Sequence, residues 1–416
     1  MKNLRNNSCG FALVLVLSLL AILVLVTYAL STVGKVSGAI STAAIYQTQA
    51  RQNALSGLKV AIGELQSAAG GDVVTASASI RGTSVKYPSL LGVWPSGSTS
   101  VLPPNWIVSG NFESSGPNQI TYVVLPTDPP AVTLVGSETV TATADMVRVS
   151  RVWFPDGNGG YAFWVGDEGN KPSLGFDSSE VLMAPNGVPY LPDPRGEIPS
   201  FEFSSLKRDR VLIWDQIREI ASGASLKSRF HSYASRSFWL MGTGNLQGGL
   251  FNINTTDADA WAAVLRIYDA ARASGQPTLE SSLGGGQVGV LAARLVGKFS
   301  QRSSSAKVRF GPFRSVAGFW DSNIVQDSLD DAGITLVTQD DLREVLDPIL
   351  AVRSDTFRIR AYGDAMNPAD ADDPNAKPEA VAYCEAIVQR TNQDDPGGHG
   401  KKFVITYFRW LGPDDI

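Results

Sequence analysis

The chain has 416 residues, of which 44% are hydrophobic and 18% are charged. Such a chain buries a sizeable core, which excludes a largely disordered protein. Its 35 Lys+Arg against 40 Asp+Glu give a formal net charge of -5, so it lacks the basic field that nucleic acid requires. We therefore expect no nucleic-acid partner.

The first thirty residues carry the most informative pattern. A polar leader, residues 1–10, contains Lys2 and Arg5 and ends at Gly10, and Phe11–Leu30 follow without a charge. Twenty helical residues span about 30 Å, the thickness of a bilayer's hydrocarbon core. The run is longer than that of a secretory signal and lacks a small-residue cleavage site after it. Residues 11–34 are therefore predicted to anchor the chain in a membrane, through side chains such as Phe11, Leu15, Leu20, Leu25 and Leu30.

This arrangement of leader, glycine, phenylalanine and apolar helix resembles the class III signal of type IV prepilins and type II secretion pseudopilins. In those families a membrane-bound prepilin peptidase cuts after the glycine and methylates the new N-terminal residue. The resemblance implies cleavage between Gly10 and Phe11, with methylation of Phe11. An uncleaved signal anchor with an incidental glycine is the alternative.

The fifth position after the expected cut departs from the major pilins. Those proteins have glutamate there, where its charge meets a neighbour's terminal amine, whereas this chain has Leu15. An uncompensated amine in lipid is costly. K-type minor pseudopilins resemble this chain in their apolar fifth residue and large exported domain, which implies a minor or tip role among other pilin-like subunits.

Charge on the two flanks of the apolar run predicts the orientation. Lys2 and Arg5 favour the cytoplasmic side, against a single Lys35 on the other flank. We expect a single pass through the cytoplasmic (inner) membrane, with the N-terminus in the cytoplasm and the remaining chain in the periplasm.

The helix is predicted to continue beyond the membrane as a stalk, residues 35–69. Leu55, Leu58, Ile62 and Leu65 step by three, four and three residues and so share one face. This stripe is expected to pack on the attached domain, with other subunits as the alternative. Gly70 and Gly71 mark the predicted end of the helix.

The exported part is predicted to be α+β, with a β-rich region over 70–250 and a mixed region over 251–416. Alternating apolar residues predict strands at Gln119–Leu125, Ala131–Val135, Thr139–Thr143, Met146–Phe154 and Tyr161–Val165, with a glycine-rich turn pairing the last two as a hairpin. Helices are predicted at Val211–Ala221, Asp257–Ala273 and Thr338–Val352. Three antiparallel strands, Thr356–Tyr362, Ala380–Gln389 and Phe403–Leu411, are expected to pack one face on the preceding helix.

Five segments together are similar to the Verru_Chthon cassette protein A group, prepilin-signal-bearing proteins of verrucomicrobial bacteria. The segments are ARQNALSGLKVAIGELQ from Ala50, YAFWVGDEGNK from Tyr161, FRIRAYGDA from Phe357, AYCEAIVQR from Ala382 and FRWLGPDDI from Phe408. The resemblance implies an exported, pilin-like protein and adds no activity.

Residues with catalytic or metal-binding chemistry are sparse. Cys384 is expected to be a buried hydrophobe, His231 to have a structural role and His399 to be a solvated loop residue. The segment GGGQVG from Gly284 is interpreted as a loop that begins a helix. Asp364, Asp370, Asp372 and Asp373 offer the oxygen ligands that calcium prefers and are weak calcium candidates, since their spacing does not match an EF-hand loop and acidic loops are usually solvated. We expect no cofactor and no enzymatic activity.

Two rival functions stay open beside a minor or tip pseudopilin. One is an anchored structural or binding protein of the cell envelope that never assembles into a filament. Leu15 is the feature that supports this alternative. The other is an exported enzyme, for which the sequence shows no coherent set of acid, base, nucleophile and metal ligands.

Overall fold

A single helix, α1 (Ser8–Ala69), opens the described chain. The computed structural model describes residues 8–81, 89–96, 104–110, 112–116, 119–122, 131–173, 230–232, 234, 237–242, 244–248, 250–273, 281–304, 312–370 and 376–416. The 62 residues of α1 rise by about 93 Å at 1.5 Å per residue. No proline interrupts this stretch, and α1 ends immediately before the glycine pair, as predicted.

Sixteen strands follow among the described residues, and one sheet contains the longest of them. The strands are β1 (Val73–Ser77), β2 (Leu91–Pro95), β3 (Asn105–Trp106), β4 (Phe112–Gly116), β5 (Gln119–Tyr122), β6 (Val132–Val135), β7 (Val147–Val149), β8 (Val152–Trp153), β9 (Gly160–Asp167), β10 (Phe238–Leu240), β11 (Leu246–Gly248), β12 (Phe251–Asn252), β13 (Leu350–Ala351), β14 (Thr356–Ala365), β15 (Ala380–Asp394) and β16 (Lys401–Leu411). The main sheet has the order β16-β15-β14-β9-β8, and all its pairs are antiparallel. The fold class is therefore α+β, as predicted.

The three C-terminal strands were predicted, and the structure adds β9 and β8 at one side of them. The predicted hairpin between β8 and β9 is confirmed, because Val152 pairs with Tyr161 and Trp153 with Gly160. Its turn contains Gly157 and Gly159 at positive φ, a conformation that favours glycine. The sheet thus takes strands from both of the regions predicted at 70–250 and 251–416.

The prediction that the preceding helix covers this sheet was wrong, because the second half of α1 covers it. One face of β14 presents Phe357, Ile359 and Ala361, which pack in one apolar cluster with Leu58 and Leu65 of α1. The helix residues buried against the sheet step along α1 by four, four, three, four and four, as Ala50, Ala54, Leu58, Ala61, Leu65 and Ala69. Small side chains let the helix approach the sheet closely.

Six helices lie in the described residues, and the five after α1 form a separate apolar cluster. They are α2 (Ala258–Ala273), α3 (Gly285–Ser304), α4 (Val316–Trp320), α5 (Ile324–Asp331) and α6 (Gln339–Leu346). Trp261 of α2 stands at its centre, with ring centroids 5.2 Å from Phe251 and 5.7 Å from Phe319. Val74 and Trp94 from the β1–β2 pair belong to the same cluster. The helices therefore pack on the small β1-β2-β3 sheet.

Two of the predicted helices are found, and one of them is shorter than expected. Residues 257–273 give α2, and α3 begins within GGGQVG. The predicted capping box is present at Thr338, whose side chain and that of Asp341 satisfy each other's backbone amides. The helix then ends at Leu346, because Pro348 lies in the 3₁₀ turn Asp347–Ile349 that leads into β13.

Several predicted strands of the first region need correction. No strand forms over residues 139–143, because a turn closes at Thr139, where the amides of Thr139 and Val140 both bond the carbonyl of Gly136, and a 3₁₀ turn begins at Thr143. The predicted strand Met146–Phe154 is divided into β7 and β8. The strands predicted at Gln119 and Ala131 correspond to β5 and β6, while residues 123–125 and the predicted helix Val211–Ala221 lie outside the described residues.

Candidate functional site: the projecting helix and its junction with the domain

The first part of α1 projects away from the domain. We call residues 11–45 the projecting segment, because none of its described side chains is buried. Phe11 is 73% exposed and Leu15 is 52% exposed. The other predicted anchor residues are similarly exposed, with Leu20 at 56%, Leu25 at 66% and Leu30 at 67%. By length and composition this helix is capable of crossing a membrane. Water is an unfavourable environment for such a surface.

The predicted cleavage position lies inside the first turns of α1. The helix begins at Ser8, so Gly10 and Phe11 belong to one continuous helix with the apolar run. A cut between these two residues leaves the rest of α1 intact. The structure thus brings the predicted processing residues and the predicted anchor residues onto one element, far along the chain from every strand.

The part of the projecting segment after Leu30 is also almost uncharged. Lys35 is the one charged residue between Phe11 and Gln49. Val33, Val36 and Ile40 are 64%, 58% and 65% exposed and step by three and four residues, so they share one face. A helix that stood alone in water would carry more charge on such a surface.

A buried polar joint holds α1 to the sheet where the packed half begins. The Asn53 amide donates a 2.5 Å hydrogen bond to the backbone carbonyl of Asp364. The Asp364 carboxylate accepts hydrogen bonds from Arg151 and from the amide of Gly160, at 2.5 and 2.9 Å. Arg151 and Asp364 are 6% and 0% exposed. This joint connects α1, β9 and β14 at one point, and a buried ion pair of this kind is strongly sensitive to loss of either partner.

A second polar joint fixes the C-terminal end of α1. Gln66 donates to the carbonyl of Lys401 at 2.8 Å and accepts from the amide of Phe403 at 2.8 Å. The Arg390 guanidinium donates to the carbonyls of Gly70 and Gly71 at 2.6 and 2.9 Å. A cation bonded just beyond a helix C-terminus satisfies orphan carbonyls and complements the helix dipole.

A shallow groove of about 420 Å³ lies where α1 leaves the domain. Its walls come from Gln47 and Arg51 of α1 and from the ends of β15 and β16, including Tyr383 and Trp410. The Arg51 guanidinium carbon lies 5.4 Å from the centre of the Trp410 ring. The ring is 37% exposed, so the surface around the helix exit is partly apolar.

Comparisons with protein-family models, with curated proteins and with solved structures returned no match to this chain.

The weak calcium candidates do not converge on a shared position among the described residues. Asp364 is buried in the joint with Arg151. Asp370 closes a 3₁₀ turn, and Asp372 and Asp373 lie outside the described residues. Across the described ranges no three His, Cys, Asp or Glu side chains are grouped closely enough to hold a metal ion.

The predicted environment of Cys384 is found. Its side chain is 0% exposed in the apolar cluster under α1. Burial raises the pKa of this thiol to about 12, so it stays protonated at neutral pH. A reactive cysteine needs the opposite environment.

Sequence reasoning missed the polar residues that hold α1 in place. Asn53 and Gln66 each lie beside a buried alanine or leucine of α1. The available signal was their spacing, since polar side chains that fall within an apolar helical stripe need buried partners. The partners Asp364 and Phe403 lie more than 300 residues away in sequence, and no local pattern identifies them.

Proposed function

We propose that this chain is a prepilin-like, membrane-anchored protein that serves as a minor or tip subunit of a pilus-like or type II secretion-like assembly. The observation that carries the proposal is the division of α1 into two halves. The first half is solvent-exposed, apolar and long enough to cross a membrane. The second half forms one side of the domain's core. A pilin-like subunit needs one helix that serves both purposes.

The projecting segment has two environments available to it in this proposal. In the precursor, residues 11–34 lie in the inner membrane, with the N-terminus in the cytoplasm and the domain in the periplasm. After a prepilin peptidase cuts behind Gly10, the same segment packs among the helices of other pilin-like subunits. The absence of charge other than Lys35 suits both environments.

Leu15 supports a minor or tip position rather than a major one. A subunit in the body of a filament benefits from a carboxylate that meets the neighbouring terminal amine, and Leu15 provides none. A subunit at the end of the filament makes contacts on one side of its helix only. The domain then presents its surface beyond the last subunit.

Cysteine cross-linking in native membranes tests assembly. In a Cys9→Ser background the remaining native cysteine, Cys384, is buried and unreactive. Val36→Cys places a thiol on the exposed face just beyond the predicted membrane span, where neighbouring helices would pack. Leu336→Cys places one on the helical part of the domain, at a side chain that is 77% exposed, and is the matched control.

The proposal predicts a specific pattern of products. The thiol-reactive photo-cross-linker 4-maleimidobenzophenone, which attaches to the introduced thiol and on illumination inserts into C–H bonds of any neighbouring chain, gives covalent adducts with other pilin-like subunits for Val36→Cys and leaves Leu336→Cys monomeric. Strict monomers for both variants favour the alternative, a signal-anchored envelope protein that does not assemble. Equal cross-linking of both variants points to non-specific aggregation and also contradicts the proposed packing.

A further inference from the structure

A second, unrelated feature is a polar cavity that no residue of α1 lines. The cavity has a volume of about 160 Å³ and lies where β1, the end of β9 and the start of α2 meet. Carboxylates from three separate segments line it, namely Asp145, Asp167 and Asp257. Ligand pockets for whole drug-sized molecules measure about 300–1,000 Å³, so this cavity is sized for a single small group.

The floor of the cavity is buried and has an unused acceptor. Asn170 is 5% exposed, and its amide nitrogen donates to the Ser77 hydroxyl at 2.7 Å. Its carbonyl oxygen has no hydrogen-bond partner in the described part of the chain. A buried polar atom without a partner costs about 1–3 kcal/mol, so such an atom beside a cavity marks a place where a donor belongs.

The charge on the walls is negative. Burial raises the pKa of Asp167 to about 6, against hydrogen bonds from Ser354 and the Gly169 amide that lower it. Burial and the charge of Asp257 raise the pKa of Asp145. The buried cation beside them, Lys171, already donates to Glu168 at 2.9 Å. Carboxylates whose pKa values are raised by burial are stabilised as anions by an added positive charge.

His231 adds a further acceptor rather than a charge. Its Nε2 lies 2.8 Å from the backbone carbonyl of Asp145, so this nitrogen carries the proton and Nδ1 is left as an acceptor. Burial lowers the pKa of the ring to about 3, and it is neutral at physiological pH. The Trp164 ring stands edge-on to the His231 ring, with centroids 6.1 Å apart, and provides an apolar wall.

We propose that this cavity binds a primary ammonium group carried on a short aliphatic chain, the chemistry of a lysine side chain. An ammonium offers three donors and one positive charge, which match the unused acceptor of Asn170 and the surrounding carboxylates. The methylenes suit the Trp164 wall. The described carboxylates are too dispersed to chelate one metal ion, and the negative walls disfavour an anion.

The test uses the two histidines of the chain as reporters. Selective ¹⁵N-histidine labelling of the full chain in detergent gives one set of signals from His231 beside the cavity and one set from His399 in an exposed turn. The probe is n-butylamine, with 1-butanol as its uncharged match. We expect butylamine to shift the His231 signals with a Kd of about 1 mM or tighter, with no effect of butanol and none on His399.

Two variants locate the interaction. Asp257→Asn removes one wall charge and retains an N-cap for α2, because asparagine caps as well as aspartate does. It should weaken butylamine binding by at least about five-fold, from the loss of one nearby charge. Asp340→Asn, in the exposed first turn of α6, removes the same charge elsewhere and should leave binding unchanged. If Asp257→Asn does not fold, Asp145→Asn takes its place in the test.

The source of the ammonium is distinguished by a second probe. The peptide acetyl-Gly-Lys-Gly-amide binds if the cavity receives a lysine of a protein partner, and fails if only a free small amine fits. Either result with butylamine binding supports the proposal. No shift of His231 up to about 50 mM amine, an equal shift with butanol, or equal weakening by Asp340→Asn overturns it.

Discussion

At the scale of single residues, Gly363 sets how closely α1 approaches the sheet. It lies in β14 directly beneath the helix, and a Cβ at this position would collide with the backbone of Ala50, Asn53 and Ala54. Backbone atoms cannot move aside as a flexible side chain does. The absence of one methyl group here therefore permits the helix–sheet contact on which the core depends.

Gly363→Ala is expected to destabilise the domain by about 3 kcal/mol, at the upper end for overpacking, because the helix must move off the sheet. Chemical denaturation followed by circular dichroism measures it. Gly63→Ala on the exposed side of the same helix is the matched control, since nothing lies within 4 Å of its Cβ position. The control should be neutral or stabilising by up to about 1 kcal/mol. Equal effects of both substitutions would refute the account of close packing.

Glu385 makes the stability of the domain depend on pH in the acidic range. It accepts from Arg360 at 2.8 Å and contacts Arg358 and Arg409 at 3.4 and 3.3 Å. Burial alone would raise its pKa, but these three guanidinium groups outweigh burial and lower it from 4.5 to about 2. The folded-state pKa is depressed, so the stabilisation is present above pH 4.5 and is lost as the pH falls towards 2. The shift corresponds to about 3 kcal/mol.

Arg409→Gln should raise the pH at which acid unfolds the domain, because Glu385 then loses one of the three cations that depress its pKa. Lys402→Gln, an exposed charge on the same strand, is the control and should leave the acid midpoint unchanged. Acid titrations monitored by tryptophan fluorescence compare them. Identical midpoints would show that the Glu385 cluster does not control acid stability.

At the scale of elements, α1 has an exposed first half and a second half that packs on the main sheet. Leu58→Ala removes a fully packed side chain and is expected to lower the free energy of unfolding by about 2–5 kcal/mol. Leu23→Ala makes the same chemical change in the projecting segment, where the side chain is 62% exposed, and should leave domain unfolding unchanged. Denaturant midpoints in one detergent provide the comparison. A large effect of Leu23→Ala would mean that the projecting segment folds back on the domain.

The sequence predicted the fold best where the apolar residues of an element follow one clear period. The continuous helix, its end before Gly70, the capping box at Thr338 and the three C-terminal strands were all predicted from local patterns. The stalk stripe was predicted from its large residues. Leu58 and Leu65 are buried, whereas Leu55 and Ile62 are only half-buried and alanines fill the rest of the contact.

The remaining features depend on contacts distant in sequence. Where α1 covers the sheet, residues 50–69 pack against residues 357–403. No local sequence pattern specifies this contact. The strand predicted at Thr139 failed because the amides of Thr139 and Val140 both bond the carbonyl of Gly136 and so turn the chain, while the Gly136 amide bonds the distant carbonyl of Ile416. The polar cavity is likewise lined by residues from several segments, none of which has a distinctive sequence pattern by itself.

At the scale of the whole molecule, the boundary between anchor and domain should lie near residue 45. A chain lacking residues 1–45 keeps the packed half of α1 and is expected to be monodisperse without detergent and to unfold cooperatively. A chain lacking residues 1–69 loses Leu58 and Leu65 from the core and exposes the apolar face of β14, so it should aggregate. Size-exclusion chromatography and thermal circular dichroism distinguish the two. Equal behaviour of both truncations would contradict the role of α1 in the domain.

The central claim is that the chain is processed as a prepilin. Intact-mass and N-terminal peptide analysis of protein purified from its own membranes tests it most directly, together with Gly10→Leu and with Gly34→Leu as a control in an open part of the same helix. We predict a mature chain that begins at N-methylated Phe11 for the natural protein and for Gly34→Leu, and an uncut chain for Gly10→Leu. A natural chain that still begins at Met1 would contradict the claim and leave a signal-anchored envelope protein.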